Sequence, residues 1–374
     1  MASMVDLYQF HQNSSGIRRT SWPSSLLAIS FLHCQEPVNV TVPRPLVNDQ
    51  SAPAISIVLP VYNRADVIGR AVSSVLRQNF EQLELIVVDD CSRDDTVRKL
   101  RAFDDPRLKV IGLKQNVGGN AARNCGIREA RAPLVTFLDS DDEFLPGRLD
   151  DSVRYFATHP KIDLLVDACI KRWPDEHRKR DFRRSNPELE GNEAVLAALF
   201  DRRLFKATPG ITVRRHAAIR AGLFDEGLRR RQDYDFILRV AKVGQLACRD
   251  EASWIKMSSA DAISANLDDA LPAIFALWDR HPEHFGELNA RTGMADDLAR
   301  HFFKLMRAGE GGRLIRDARS VANRFGAAPV AKMVLRGLGS YSARKIRQRI
   351  FGKRLRFTQP PQGGQKDRAR GPID

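Results

Sequence analysis

"SIVLPVYNRADVIGRAVSSVLRQNFEQLELIVVDD", residues 56–90, changes periodicity twice. Ile55 to Pro60 is an apolar, β-branched run, as a strand buried on both faces requires. In 66–78, Ile68, Ala71, Val72, Val75 and Leu76 recur at the spacing of one helix face. Leu83 to Val88 is a second buried strand. Strand, helix, strand at this spacing is a βαβ unit, which implies a parallel sheet.

The pattern continues outward. Ser92, with Asp95 three residues on, resembles an N-cap for a helix through Leu100. Residues 107–113 and 134–139 read as strands, with a helix over 120–130 between them. A helix over about 146–158 and a strand over 162–168 follow. Residues 171–192 are polar and charged, and read as a loop. Beyond them the expected elements are helix 192–200, strand 208–215, helix 233–244 and strand 245–257, with a helical region over 266–309. No internal repeat is visible.

Ligands of such sheets bind outside the carboxyl ends of the strands. That rule selects Pro60, Tyr62 and Asn63 after the first strand and Asp89 and Asp90 after the second. After the fourth, in "FLDSDDEFLP" (137–146), it selects Asp139, Asp141 and Asp142. Hard oxygen ligands without His or Cys suit Mg²⁺ or Mn²⁺, which bind one or two carboxylates together with substrate phosphates. There is no GxxxxGK[ST] loop, and "NVGGNAARNCG" (116–126) lacks the dinucleotide fingerprint.

These stretches resemble inverting family 2 glycosyltransferases of the GT-A fold. The resemblance runs over about 54–257, through 56–96, "NVGGNAARNCGI", "VTFLDSDD" and "AGLFDEGLRRRQDYDFILRVAKVG". It implies a GT-A-type α/β fold: a mostly parallel central sheet flanked by helices, with a helical C-terminal region. It implies that Tyr62 lies against the nucleobase of a nucleotide-sugar donor and that Asp90, with Asp89, binds base or ribose. Arg123 and Asn124 match the block lining the donor side. Asp139 and Asp141 form the DxD pair, extended by Asp142, for ribose and metal. Asp233 matches the catalytic base, with Asp235 its local competitor. The family's usual Glu before that Asp is Gln232 here, which bears on acceptor and activity.

The expected donor is a nucleotide sugar, UDP-linked in preference to GDP- or TDP-linked. The expected acceptor is a glycan or lipid-linked hydroxyl in surface polysaccharide or glycolipid assembly. No QxxRW motif is present, which favours transfer of single sugars. Two alternatives stay open: a nucleotidyltransferase of similar architecture, and a nucleotide-sugar-binding protein impaired in catalysis.

The chain has 374 residues and a formal charge of +14. Residues 318–366 carry 12 Lys or Arg and no Asp or Glu, so the rest is nearly neutral. Ile346, Ile350 and Phe351 recur among these cations, the pattern of an amphipathic helix that contacts an anionic membrane surface. Sparse aromatic interleaving argues against nucleic acid. Five cysteines without metal or CxxC spacing suit a reduced compartment. The expected location is cytoplasmic, with peripheral contact on the inner membrane face. The expected organisation is a poorly ordered leader (1–53), a nucleotide-sugar-binding half (54–168), an acceptor-side half (169–265), a basic helical region (266–357) and a disordered tail (358–374).

Overall fold

The computed structural model describes residues 52–173, 181–258, 267–285 and 288–326. The leader up to 51, the basic segment beyond 326 and the tail lie outside the described residues.

The first half is a run of βα units. They are β1 (Ile55–Val61), α1 (Ile68–Leu76), β2 (Leu83–Asp89), α2 (Thr96–Leu100), β3 (Leu108–Gly112), α3 (Gly119–Glu129) and β4 (Leu134–Phe137). All seven residues of β1 and all seven of β2 are buried. Alternation divides β1 between the two faces. Ile57 and Leu59 join Ala71, Val72 and Val75 of α1, while Val58 joins Ala122 and Ile127 of α3. Each fully buried aliphatic side chain contributes about 1.5–3 kcal/mol, so this sandwiching makes β1 the anchor of the sheet. Gly126 lets α3 sit directly on it. A Cβ there would lie 2.4 Å from Val58 Cγ1.

The second half contains β5 (Glu143–Phe144), α4 (Arg148–Thr158), β6 (Ile162–Arg172), β7 (Phe182–Arg184), β8 (Leu189–Glu190) and α5 (Asn192–Phe200). A 3₁₀ turn (Thr208–Gly210) leads into β9 (Ile211–Arg214), α6 (Arg215–Arg220), α7 (Gln232–Ala241) and β10 (Gln245–Met257). Among the described residues four helices follow: α8 (Ala270–Arg280), α9 (Pro282–Phe285), α10 (Leu288–Arg307) and α11 (Gly311–Phe325).

One sheet runs through both halves in the order β3-β2-β1-β4-β9-β6-β10-β5. The long registers are parallel: β1 with β2 and β4, β2 with β3, and β6 with β10. Strand β9 is antiparallel to both its neighbours and joins the two parallel groups.

Three local expectations are corrected. Residues 171–192 are not all loop, because β6 and β10 recruit the short strands β7 and β8. The start of 208–215 is a 3₁₀ turn around Pro209, whose ring cannot supply a ladder N–H. Ser92 does not cap α2. Asp95 holds that position, and the Ser92 hydroxyl instead accepts a hydrogen bond from the Asn63 N–H at 2.9 Å.

Candidate functional site

The carboxyl ends of β1, β2 and β4 are adjacent in the sheet, as β1 pairs with both others. Tyr62 follows there and is 41% exposed, whereas Pro60 is buried within β1. Asn63 takes a left-handed turn (φ 48°), and its Oδ1 accepts the Arg93 N–H at 2.8 Å. The turn after β1 is thereby tied to the turn after β2.

Asp89 accepts the Ser92 N–H through Oδ2 at 3.1 Å, and its buried Oδ1 has no hydrogen-bond partner. Asp90 is more committed. Its two oxygens accept the N–H groups of Val117 at 2.7 Å and Gly118 at 2.8 Å. Gly118 reaches that position with φ +92°, which side chains rarely adopt. Burial, then repulsion from Asp89, raises the Asp90 carboxyl above its ordinary value despite these bonds. Asp90 therefore shapes the glycine loop whatever else it touches.

The three carboxylates after β4 separate into different environments. Asp139 pairs with Arg123 at 2.6 Å and keeps 29% of its side chain exposed. Asp141 is partly exposed, and burial, then repulsion from Asp139, raises its carboxyl above the ordinary value. Asp142 is fully buried. Its Oδ1 accepts the Met257 N–H at 2.8 Å, and its Oδ2 lies 3.8 Å from Lys256 Nζ. Burial, then the neighbouring carboxylates, raises it well above the ordinary range, against the pull of Lys256. Asp142, expected among the metal ligands, is thus placed in a buried position, and its Oδ2 has no hydrogen-bond partner. Residues 143–144 zip against Trp254 and Ile255 as β5, which turns Asp142 into β10 and away from solvent.

Lys256 was not legible in the sequence as a site residue. Burial alone would lower its ammonium, yet Asp142, Asp139 and Asp141 together hold it above its ordinary value. Lys256 and Arg123 thus offset part of the carboxylate repulsion. Among the described residues, no three His, Cys, Asp or Glu side chains form a metal-holding group. Asp139 and Asp141 are the partly exposed hard oxygen donors of this turn. Two carboxylates suit Mg²⁺ or Mn²⁺ when substrate phosphates complete the coordination.

Asn124, expected to line the donor side, is held by contacts within the protein. It is 2% exposed, and its amide donates to Phe224 O at 2.8 Å and Glu226 Oε1 at 2.9 Å. Its Oδ1 accepts the Phe224 N–H at 2.8 Å, so both donor hydrogens are used. Asn120, on the same helix, donates to Asp225 O at 2.8 Å and Leu228 O at 2.7 Å. Together they clamp α3 to the segment that leads into α7.

Asp233 sits in the first turn of α7, partly exposed, and its Oδ1 accepts the Tyr234 N–H at 2.8 Å. Asp235, its competitor, is fully buried. Arg239 at 2.7 Å and His281 at 2.9 Å occupy its two oxygens. Burial alone would raise Asp235, but His281 and Arg239 hold it below its ordinary value. Of the two, only Asp233 is partly exposed. The segment leading to Asp233 is linked to the carboxylates after β4 through Arg123, Asn120 and Asn124. Lys206 stands over the Tyr234 ring at 4.6 Å. Burial, with Arg231, Arg202 and Arg300, pushes its ammonium down to about 8, while Asp233 opposes that shift.

Cys91, Cys169 and Cys248 are free thiols. No helix among the described residues is long and apolar enough to cross a membrane.

Comparison with known proteins agrees with this architecture. The family model described as glycosyl transferase family 2 matches residues 56–225. The putative colanic acid biosynthesis glycosyl transferase WcaA of Escherichia coli is 34% identical over 209 residues, covering 54% of this chain and 72% of that protein. The succinoglycan biosynthesis protein ExoO of Rhizobium meliloti is 45% identical over 97 residues. That match covers 26% of this chain and only 28% of ExoO. A crystal structure of S. aureus TarS 1-349 in complex with UDP-GlcNAc has the same fold, with a TM-score of 0.50 and 18% identity over 66% of this chain and 80% of that one. Sheet order, strand-end carboxylates and these relatives converge: the chain belongs to glycosyl transferase family 2.

Proposed function

We propose that the chain transfers one sugar, with inversion, from a nucleotide-sugar donor to a hydroxyl acceptor in surface polysaccharide or glycolipid assembly. The observation that carries this reading is the partly exposed pair Asp139 and Asp141 after β4, the strand paired with β1, which Tyr62 follows with an exposed side chain. A UDP-linked donor is favoured. Tyr62 stacks on the base, and the turn around Asn63 and Asp89 borders the ribose. Asp139 and Asp141 would hold Mg²⁺ or Mn²⁺ with the diphosphate. When bound, the cation neutralises charge on the leaving diphosphate.

The protein's own residues supply the rest. Arg123 fixes Asp139 in place through their 2.6 Å ion pair. Asp233 accepts the proton of the attacking hydroxyl as the new glycosidic bond forms opposite the departing diphosphate. One displacement needs no protein nucleophile. Asp142 and Lys256 position the Asp139–Asp141 turn against β10. Peripheral membrane contact by the basic C-terminal segment would bring the active site to a lipid-linked acceptor.

Incubation with a panel of nucleotide sugars and Mn²⁺ tests the reading. The expected product is a nucleoside diphosphate, from slow hydrolysis without acceptor and faster turnover with one. Release of inorganic diphosphate from a sugar 1-phosphate and a nucleoside triphosphate would instead identify a nucleotidyltransferase. Donor binding without any turnover would identify a binding protein.

A further inference from the structure

Lys206 has no part in the strand-end site. It lies in residues 204–210, a segment pinned along its length. The Leu204 N–H donates to Ala198 O at 3.1 Å, and the Phe205 N–H donates to Oδ1 of the buried Asn186 at 2.7 Å. Further on, Pro209 O accepts the buried guanidinium of Arg148 at 2.6 Å. Backbone held in this way fixes where the Lys206 side chain starts. At the other end, its Nζ stands 4.6 Å from the centre of the Tyr234 ring. Tyr234 is buried, with its ring 6.2 Å from that of Phe200. Its N–H is also the group that holds Asp233 Oδ1. One residue thus positions both the ammonium and the carboxylate.

We propose that Lys206 is a second catalytic residue, whose ammonium donates a hydrogen bond to the attacking hydroxyl oxygen while Asp233 takes that hydroxyl's proton. The inference rests on the reading of Asp233 as the base and adds the group that polarises the nucleophile. The charges facing Lys206 come from three elements. Asp233, Tyr234 and Arg231 belong to α7 and the residue before it, Arg202 to the turn after α5, and Arg300 to α10. Arg231 and Arg202 share the carboxylate of Asp297. Among the described residues no carboxylate forms an ion pair with Lys206, although Asp233 is near enough to favour its charged form. A ring face engages one side of an ammonium that carries three donors. Asp233 is engaged through Oδ1, and no described group bonds its Oδ2. Each partner therefore keeps hydrogen-bonding capacity for a substrate oxygen.

The chemistry uses both charges. As the hydroxyl oxygen bonds to the anomeric carbon, the bond from that carbon to the diphosphate breaks, and its electron pair leaves with the diphosphate. The hydroxyl proton passes to Asp233. Negative charge builds on the attacking oxygen as the proton departs, and a fixed ammonium beside it stabilises that charge most where water is scarce. Lys206 keeps its own proton throughout. As a mere cover for the Tyr234 ring, its charge would be a liability, because burial and the neighbouring arginines oppose it. An uncharged side chain of similar length would cover the ring without that cost.

Water serves as the nucleophile in the test, so the acceptor need not be known. The full chain with Mg²⁺ is assayed for hydrolysis of the UDP-sugar that wild type cleaves fastest, and kcat is followed from neutral to alkaline pH. Wild-type kcat is expected to fall above about pH 8, as the Lys206 ammonium loses its proton. Lys206→Met should be slower at neutrality by at least about 10²-fold and show no such fall. Lys206→Arg keeps the charge, so it should be faster than Lys206→Met and hold its rate where wild type declines. UDP affinity, titrated calorimetrically, should match wild type in both variants, which reports folding. A Lys206→Met variant as fast as wild type, or one that keeps the alkaline fall, would overturn the proposal. If Lys206→Met loses UDP affinity, the Lys206→Arg profile decides, and an alkaline fall unmoved from wild type overturns it. No hydrolysis by wild type, or full hydrolysis by Asp233→Asn, would instead contradict the transferase reading on which the proposal rests.

Discussion

The two charged regions of this chain are built from opposite signs and by different means. After β4, carboxylates crowd at strand ends; burial and mutual repulsion raise Asp141 and Asp142. Around the start of α7, cations crowd between helices; burial and mutual repulsion lower Lys206, Arg231 and Lys304. Each region contains partial internal compensation: Lys256 and Arg123 in the first, Asp297 in the second. The proposed divalent cation would add to that compensation in the first region. Asp233 lies in the first turn of α7, within the second.

The largest expected effect comes from removing the carboxylate proposed as the base. Asp233→Asn should lower turnover by about 10²–10⁴-fold, the range of a lost general base. UDP affinity measured by calorimetry should not change. Equal loss of affinity and turnover would move Asp233 out of the base role.

Next comes the neighbouring carboxylate, which should affect stability. Asp235 is buried against Arg239 and His281, so Asp235→Asn should cost about 3–5 kcal/mol in denaturant unfolding. The pH dependence has a defined sign. A depressed folded value contributes stability that is present above the ordinary carboxylate value and is lost as pH falls through the depressed one. The variant should lack this acid-side loss. A variant that unfolds like wild type but loses turnover would reverse the assignment of the two aspartates.

Lys256→Met should act more weakly, because its side chain is 34% exposed and solvent screens its ion pair. Raised folded values at Asp141 and Asp142 contribute stability in acid that is lost as pH rises through those values. Removing Lys256 should deepen that loss. The melting temperature of the variant should fall below wild type near neutrality, by about 1 kcal/mol or less in stability, and converge with it in acid. A deficit that grows toward acid would show that Lys256 does not compensate these carboxylates.

The smallest effect concerns the exposed ring at the edge of the acidic region. Tyr62→Ala should weaken UDP by about 0.5–1.5 kcal/mol, read by titration with Mn²⁺ present. No change would remove the stacking role.

Local signals made the first half of the fold legible. An all-buried strand and a helix with one apolar face are written in short windows, so β1, α1, β2 and α3 emerge within a few residues of their expected bounds. The second half depends on partners distant in sequence. Strands β5, β7 and β8 are two or three residues long and exist because β10 and β6 recruit them. The candidate site divides the same way. Strand-end carboxylates can be located from sheet logic alone. Their burial cannot, since Asp142 is turned inward by Met257, and Asn124 is consumed by Phe224, one hundred residues away. Nothing local marks Lys256 as the cation beside them.

The central claim is that the acidic region holds a nucleotide donor through a divalent cation at Asp139 and Asp141. Calorimetric titration of UDP into wild type and Asp141→Asn, each with Mn²⁺ and with EDTA, tests it most directly. The account predicts binding by wild type in Mn²⁺, at least about tenfold weaker binding in EDTA, and a variant for which Mn²⁺ makes little difference. Equal UDP affinity in all four titrations would contradict it.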